Sequence, residues 1–232
     1  MHSQSNIIIL ISIIAVIKES SCAPHHISHP HSHCHHQYNS HRYPLHTSQW
    51  EHELSENFSP IIDDVDDSRI HIQQLRDKIA NLFSIIQEMK DDFTKETLNK
   101  PYNKIDFEES EKHYSELSVN NFGEDDVSNA YSLFQKLHIA SEIVLIDLMN
   151  MNVHKANGDH LYLWTNIKNY SLSIIKQLHI EMKINKKSIS LLPRSELPDT
   201  IRCVRDSSTR DKRNFFILRH MLEASRKYLN VF

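Results

Sequence analysis

Seven histidines and one cysteine crowd the twelve residues His25–His36, HHISHPHSHCHH. Imidazole nitrogen and thiolate sulfur are good ligands for Zn and Cu. The run therefore has the chemistry to hold such ions, His31, His33, His35 and His36 foremost. What the spacing lacks is a scaffold. Pro, Ser, Gln and Asn surround the histidines, aliphatic residues are few, and a segment of this kind cannot bury enough apolar surface to fold alone. Ten of the eighteen histidines fall between His25 and His52, and unperturbed imidazole titrates at about pH 6.5. Residues 24–60 accordingly read as a disordered tail with incidental Zn or Cu affinity and no resident cofactor. Purposeful metal-dependent or pH-dependent binding is the competing reading.

Other catalytic chemistry has little to stand on. The chain holds no Gly-x-Ser-x-Gly elbow, no His-Glu-x-x-His and no glycine-rich phosphate loop. The acidic pairs Asp91-Asp92 and Glu108-Glu109 sit where a solvated helix end or loop would place them. There are only two glycines, Gly123 and Gly158, in 232 residues. Hairpins and phosphate loops need the left-handed corners that glycine supplies, so the composition points to helices and away from an enzyme.

The N-terminus has the form of an export signal. Ile7–Ile17 is an apolar run of eleven residues, followed by Lys18, Glu19 and the small residues Ser20, Ser21, Cys22 and Ala23. That is about half of what a bilayer-spanning helix needs, and no later segment is long and apolar enough to span a membrane. Residues 1–22 are therefore expected to be a signal peptide, with cleavage after Cys22 and no membrane insertion afterwards. The exported chain keeps Cys34 and Cys203, which in an oxidising compartment suggest one disulfide. A free thiol or an intermolecular bridge is the alternative. Asn57-Phe58-Ser59 and Asn169-Tyr170-Ser171 are glycosylation sequons, the first weakened by Pro60.

Beyond the tail (residues 23–62), residues 63–232 show four amphipathic segments. The first, about 68–97, carries Ile72, Leu75, Ile79, Leu82, Phe83, Ile86, Met89 and Phe93 on one stripe. The second, about 125–153, has a main face from Val127 to Leu148 and an opposite stripe of Ile139, Ile143 and Ile146. A helix apolar on two sides must be covered by a loop or used at an interface. The third, about 159–183, turns Trp164, Ile167, Ile174, Leu178 and Met182 inward. Asn169 lies about 140° from Trp164 on the wheel, so a glycan there would face solvent. The fourth, about 209–232, has Phe215, Leu218, Met221, Leu222, Ser225 and Leu229 as its inner stripe. No proline or glycine falls inside these four stripes, and proline costs about 3 kcal/mol in a helix interior.

The connections suggest an arrangement. Twenty-seven residues separate the first two segments, five the second and third, and twenty-five the third and fourth. Five residues span at most about 17 Å, which forces the second and third helices antiparallel. The two long links can each cross the height of a bundle and join parallel helices. The expected fold is all-α, an up-up-down-down long-chain four-helix bundle with two long crossover loops; long insertions in an up-down bundle are the alternative.

Charge and aromatic placement single out the last helix. Residues 51–126 carry 20 acidic and 8 basic side chains, a net of −12, whereas residues 194–232 carry 9 basic and 5 acidic, a net of +4. Lys212, Arg219 and Arg226 recur every seven residues beside the apolar face. Phe216, beside Arg213, His220 and Lys227, projects outside the core stripe on the wheel. Aromatic plus arginine on an exposed face is a hot-spot composition. Phe216 packing under the preceding long loop is the alternative. The basic density is too low for a nucleic-acid site.

These features resemble a known family. An exported chain with four long amphipathic helices, long crossovers and a basic final helix is similar to the long-chain cytokines of the interleukin-6 type. The stretch Phe215-Phe216-Ile217-Leu218-Arg219 is similar to their final helix. Ile201-Arg202-Cys203-Val204-Arg205-Asp206 and Arg210-Asp211-Lys212-Arg213 resemble the insect unpaired cytokines, which are secreted ligands that activate a Domeless-type receptor and JAK/STAT signalling. The resemblance implies binding to a cell-surface cytokine receptor through helix faces, with Arg219 and Arg226 nearest to the basic positions of the final helix. It implies a second surface on the outer faces of the first and third helices. Extracellular matrix is a further candidate partner, and a secreted His-rich metal-binding protein without signalling is the rival function. On this reading, Phe216→Ala with Arg219→Glu should weaken receptor binding and leave stability nearly intact.

Overall fold

The structure, a computed structural model, describes residues 65–105, 112–121, 126–150 and 158–232. The expected signal peptide, the His-rich segment with His31, His33, His35 and His36, the sequon Asn57 and Cys34 lie outside the described residues. Among those described the chain is all-helical, without a strand. Five α-helices lie among the described residues: α1 (Val65–Leu98), α2 (Val127–Asn150), α3 (Gly158–Ile184), α4 (Asp199–Arg202) and α5 (Ser207–Val231). Four of them occupy the expected segments. The addition is α4, which at four residues is too short to show any periodicity.

Local chemistry sets the ends. Asp206 caps α5, its carboxylate accepting from Thr209 N at 2.7 Å, which satisfies one of the helix's orphan amides. With so few glycines, the chain closes α1 and α3 on other residues. Asn99 and Lys186 both adopt φ of 52°, the left-handed conformation that ends many helices. After α3, Lys187 N donates to Met182 O at 2.9 Å and Lys186 N to Lys183 O at 3.0 Å.

The expected apolar stripes form the core. Leu75, Ile79, Leu82, Ile86 and Phe93 of α1 are buried with Trp164, Ile167, Ile174 and Leu178 of α3. Helix α1 packs on α3 and α5, and α2 packs on the same two helices. At one end Gln177, late in α3, takes up Lys78 and His71 from early α1 through hydrogen bonds of 3.2 and 3.1 Å. At the other end Phe93 meets His160 and Trp164 with ring centroids 4.9 and 6.1 Å apart. Early α2 faces late α3 through Tyr131 and His179, 3.1 Å apart. Early α2 also faces late α5, through Phe134 and Tyr228.

Helix α2 is covered on its second side as well. Leu137, His138, Ile139, Ala140 and Ser141 are buried in succession, which is more than one turn at 3.6 residues per turn. The link after α3 lies along this side. Gln135 Nε2 donates to Ser190 O at 3.1 Å, Leu192 N donates to Gln135 Oε1 at 2.9 Å, and Arg194 pairs with Glu142 at 2.7 Å. Of the second stripe, Ile139 and Ile143 are buried and Ile146 is half-buried. Deeper in, Arg213 of α5 pairs with Asp147 of α2 at 2.7 Å, both almost wholly shielded from solvent. Arg213 also donates to Ile201 O at 3.1 Å and to Asn214 Oδ1 at 2.7 Å, which ties α2, α4 and α5 together.

Two predictions follow from this polar interior. Asp147→Ala strands a buried guanidinium and should cost about 3–5 kcal/mol in urea unfolding. Replacing both charges, Asp147→Leu with Arg213→Met, should cost far less; equal losses would show that the pair does not act as a unit. The second concerns His138, whose burial lowers its pKa to about 4 although Glu142 beside it pulls the other way. Below about pH 6.5 the unfolded chain takes up a proton that the folded chain refuses. Stability should therefore fall as pH drops from about 6.5 to about 4, by up to about 3 kcal/mol, and His138→Gln should flatten that slope.

Candidate functional site

The basic residues of α5 divide sharply by exposure. Lys212 and Arg226 are exposed, Arg219 and Lys227 are half-buried, and Arg213, Phe216 and His220 are buried. The expectation that Phe216 projects from the bundle beside Arg213 and His220 is corrected: none of the three is available to a partner. The cause is the link between α1 and α2. Its 3-10 turns, Lys112–Leu117 and Val119–Asn121, pack on α5, and Tyr114 stacks on Phe216 with centroids 4.8 Å apart and planes 19° apart. For Phe216 the cover is Tyr114 of the first long link, while Arg213 is also held by Ile201 of the link before α5. From Arg213 to Leu218 six successive residues are buried, so α5 is enclosed on all sides over that stretch.

What stays accessible is a seam between α1 and α5. Arg226 lies over the ring of Phe83 at 5.9 Å, and Lys90 over the ring of Tyr102 at 5.5 Å. Tyr102 stands in the short 3-10 turn after α1, its ring 5.4 Å from Phe215. Burial raises the Tyr102 pKa against the pull of nearby Arg219 and Arg226. Arg219 Nε donates to Glu223 Oε1 at 2.8 Å, one turn along. Burial disfavours the Glu223 carboxylate, but the neighbouring His220 and the hydrogen bond from Arg219 outweigh it, and its pKa falls below the ordinary value. The seam thus offers guanidinium and ammonium groups set on aromatic faces, with Glu223 orienting Arg219.

The structure brings Arg219 and Arg226 together with Phe83, Lys90, Tyr102 and Glu223, four residues that sequence reasoning missed. Glu223 was readable, since Arg219 and Glu223 are four apart on a helix. Lys90 and Tyr102 were not, because the turn that returns Tyr102 to α5 has no periodic signal. Lys212 stands apart near the start of α5. Asn169 is exposed on α3, as its wheel position requires. Cys203 follows α4 as its C-cap, and its expected partner Cys34 is outside the described residues. Among the described residues no group of three or more His, Cys, Asp or Glu side chains is placed to hold a metal ion, and no helix is long and apolar enough to cross a membrane. No protein-family profile, curated protein or solved structure matches the chain.

The correction reverses the expectation for the double change at Phe216 and Arg219. Phe216→Ala empties a stacked, enclosed site and should destabilise the fold by about 3–5 kcal/mol. Arg219→Glu with Arg226→Glu alters only the seam and should shift the thermal midpoint little. A Phe216→Ala protein as stable as the parent would contradict the enclosed site.

Proposed function

We propose that the chain is a secreted cytokine-like ligand, in which α1, α2, α3 and α5 form an up-up-down-down long-chain bundle. It acts by binding a cell-surface cytokine receptor and activating JAK/STAT signalling, not by catalysis. The observation that carries this reading is the pattern of helix contacts. Both α1 and α2 meet α3 and α5 early-to-late, as Tyr131 with His179 and Phe134 with Tyr228 illustrate. That pattern supports parallel α1 and α2 joined by a crossing link, and likewise α3 and α5. A bundle built this way communicates through its exterior, and the seam of Arg219, Arg226, Lys90 and Tyr102 is the proposed receptor face.

Other features fit the proposal. The apolar run Ile7–Ile17 serves export, and exposed Asn169 carries a glycan on the outer side of α3. Cys34 pairs with Cys203 after export. The α1 and α3 outer surfaces, which include exposed Tyr162 at 67%, provide the second contact needed to bring receptor chains together. The His25–His36 run favours a second reading, an exported metal-binding protein whose bundle merely carries the tail.

Purified exported protein applied to receptor-bearing cells should raise STAT phosphorylation. Arg219→Glu with Arg226→Glu should lower its potency at least about tenfold, a loss of about 1.4 kcal/mol in binding, and deletion of residues 24–50 should leave it intact. Absence of any STAT response from the folded, exported chain would defeat the proposal. Metal binding abolished by the same deletion, without any signalling, would favour the second reading.

A further inference from the structure

A cleft of about 320 Å³ opens at the end of the bundle where α1 and α2 begin and α3 and α5 finish. Its walls are apolar, from Ile72, Val127 and Phe232, and its polar groups include Glu181, Asp126 and Lys187. Lys187 is already committed to Asp126, which also accepts from Ser128 N at 2.8 Å. Glu181 is different. It is 1% exposed, its Oε1 has no hydrogen-bond partner, and burial alone raises its pKa. Buried carboxylates are ordinarily paired, and nothing among the described residues compensates this one. The Asn185 side chain donates to the Glu181 backbone carbonyl at 2.8 Å and does not supply the missing partner.

We infer that this cleft receives a basic side chain of a partner protein, with Glu181 as the counter-ion to its guanidinium or ammonium head. The apolar walls suit an aliphatic stem that delivers the charge to the floor. A hard divalent cation fits less well, since it takes about six or more oxygen ligands and Asp126 is engaged by Lys187. The cleft is separate from the Arg219–Arg226 seam, so the inference stands whether or not that seam binds a receptor.

The test is titration of the full exported chain with N-acetylarginine amide, followed by amide chemical shifts. Saturable shifts at Val127, Glu181, Asn185 and Lys187 are expected. N-acetylcitrulline amide, which keeps the shape and removes the charge, should bind at least about tenfold more weakly, because a charge-assisted contact is lost. Glu181→Gln should weaken arginine binding to the same degree. Binding should also weaken at lower pH, as Glu181 becomes protonated. No saturable shift, or equal binding of the citrulline compound, would overturn the inference. That comparison needs no variant, so it decides the matter even if Glu181→Gln fails to fold.

Discussion

From Leu137 to Ser141, α2 has no side that faces water, and the rest of the molecule is arranged around that fact. A helix apolar all round is stable only when fully enclosed. Helices α3 and α5 cover one part of it, and α1 stands beyond them. The remaining side must be closed by chain that is not a bundle helix. The segment after α3 supplies this, fastened at Gln135 and at Glu142 by Arg194. Residues 213–218 of α5 make the same demand, and Tyr114 and its neighbouring turns answer it. The long links are therefore structural walls of the bundle.

The fastening is polar, which has consequences for specificity. Apolar surfaces tolerate sliding, whereas hydrogen-bonded and charged groups fix one register. Gln135 donates to and accepts from the backbone of one loop. Arg213 joins Asp147 of α2, the carbonyl of Ile201 after α3, and Asn214 of its own helix. Such contacts cost desolvation, so their return is a defined position for each link. The middle of α2 and residues 213–218 of α5 are thereby walled in.

How much of this was legible depended on periodicity. The four long helices and most of their inner residues, such as Leu75, Trp164 and Leu218, could be read because side chains three and four apart share a face. The double-sided character of α2 was equally visible, though not what would cover it. Phe216 misled because its wheel position lies off the main stripe, and the wheel contains no information about a loop arriving from a hundred residues away. Arg213 and His220 failed for the same reason: basic residues are presumed solvated unless a partner is known, and Asp147 lies on another helix. Glu181, seven residues after buried Ile174, sits at the edge of the inner stripe of α3, but its want of a partner shows only where the ends of several helices converge.

The enclosure of the interior depends on α2 being sealed by its links. Native-state hydrogen exchange tests that dependence most directly. If the links are walls, the amides of residues 137–145 should exchange only through global unfolding, with the same free energy that denaturant unfolding gives. Exchange of those amides through local openings of much smaller free energy, while α1 and α3 stay protected, would show that α2 is not sealed and would contradict the account.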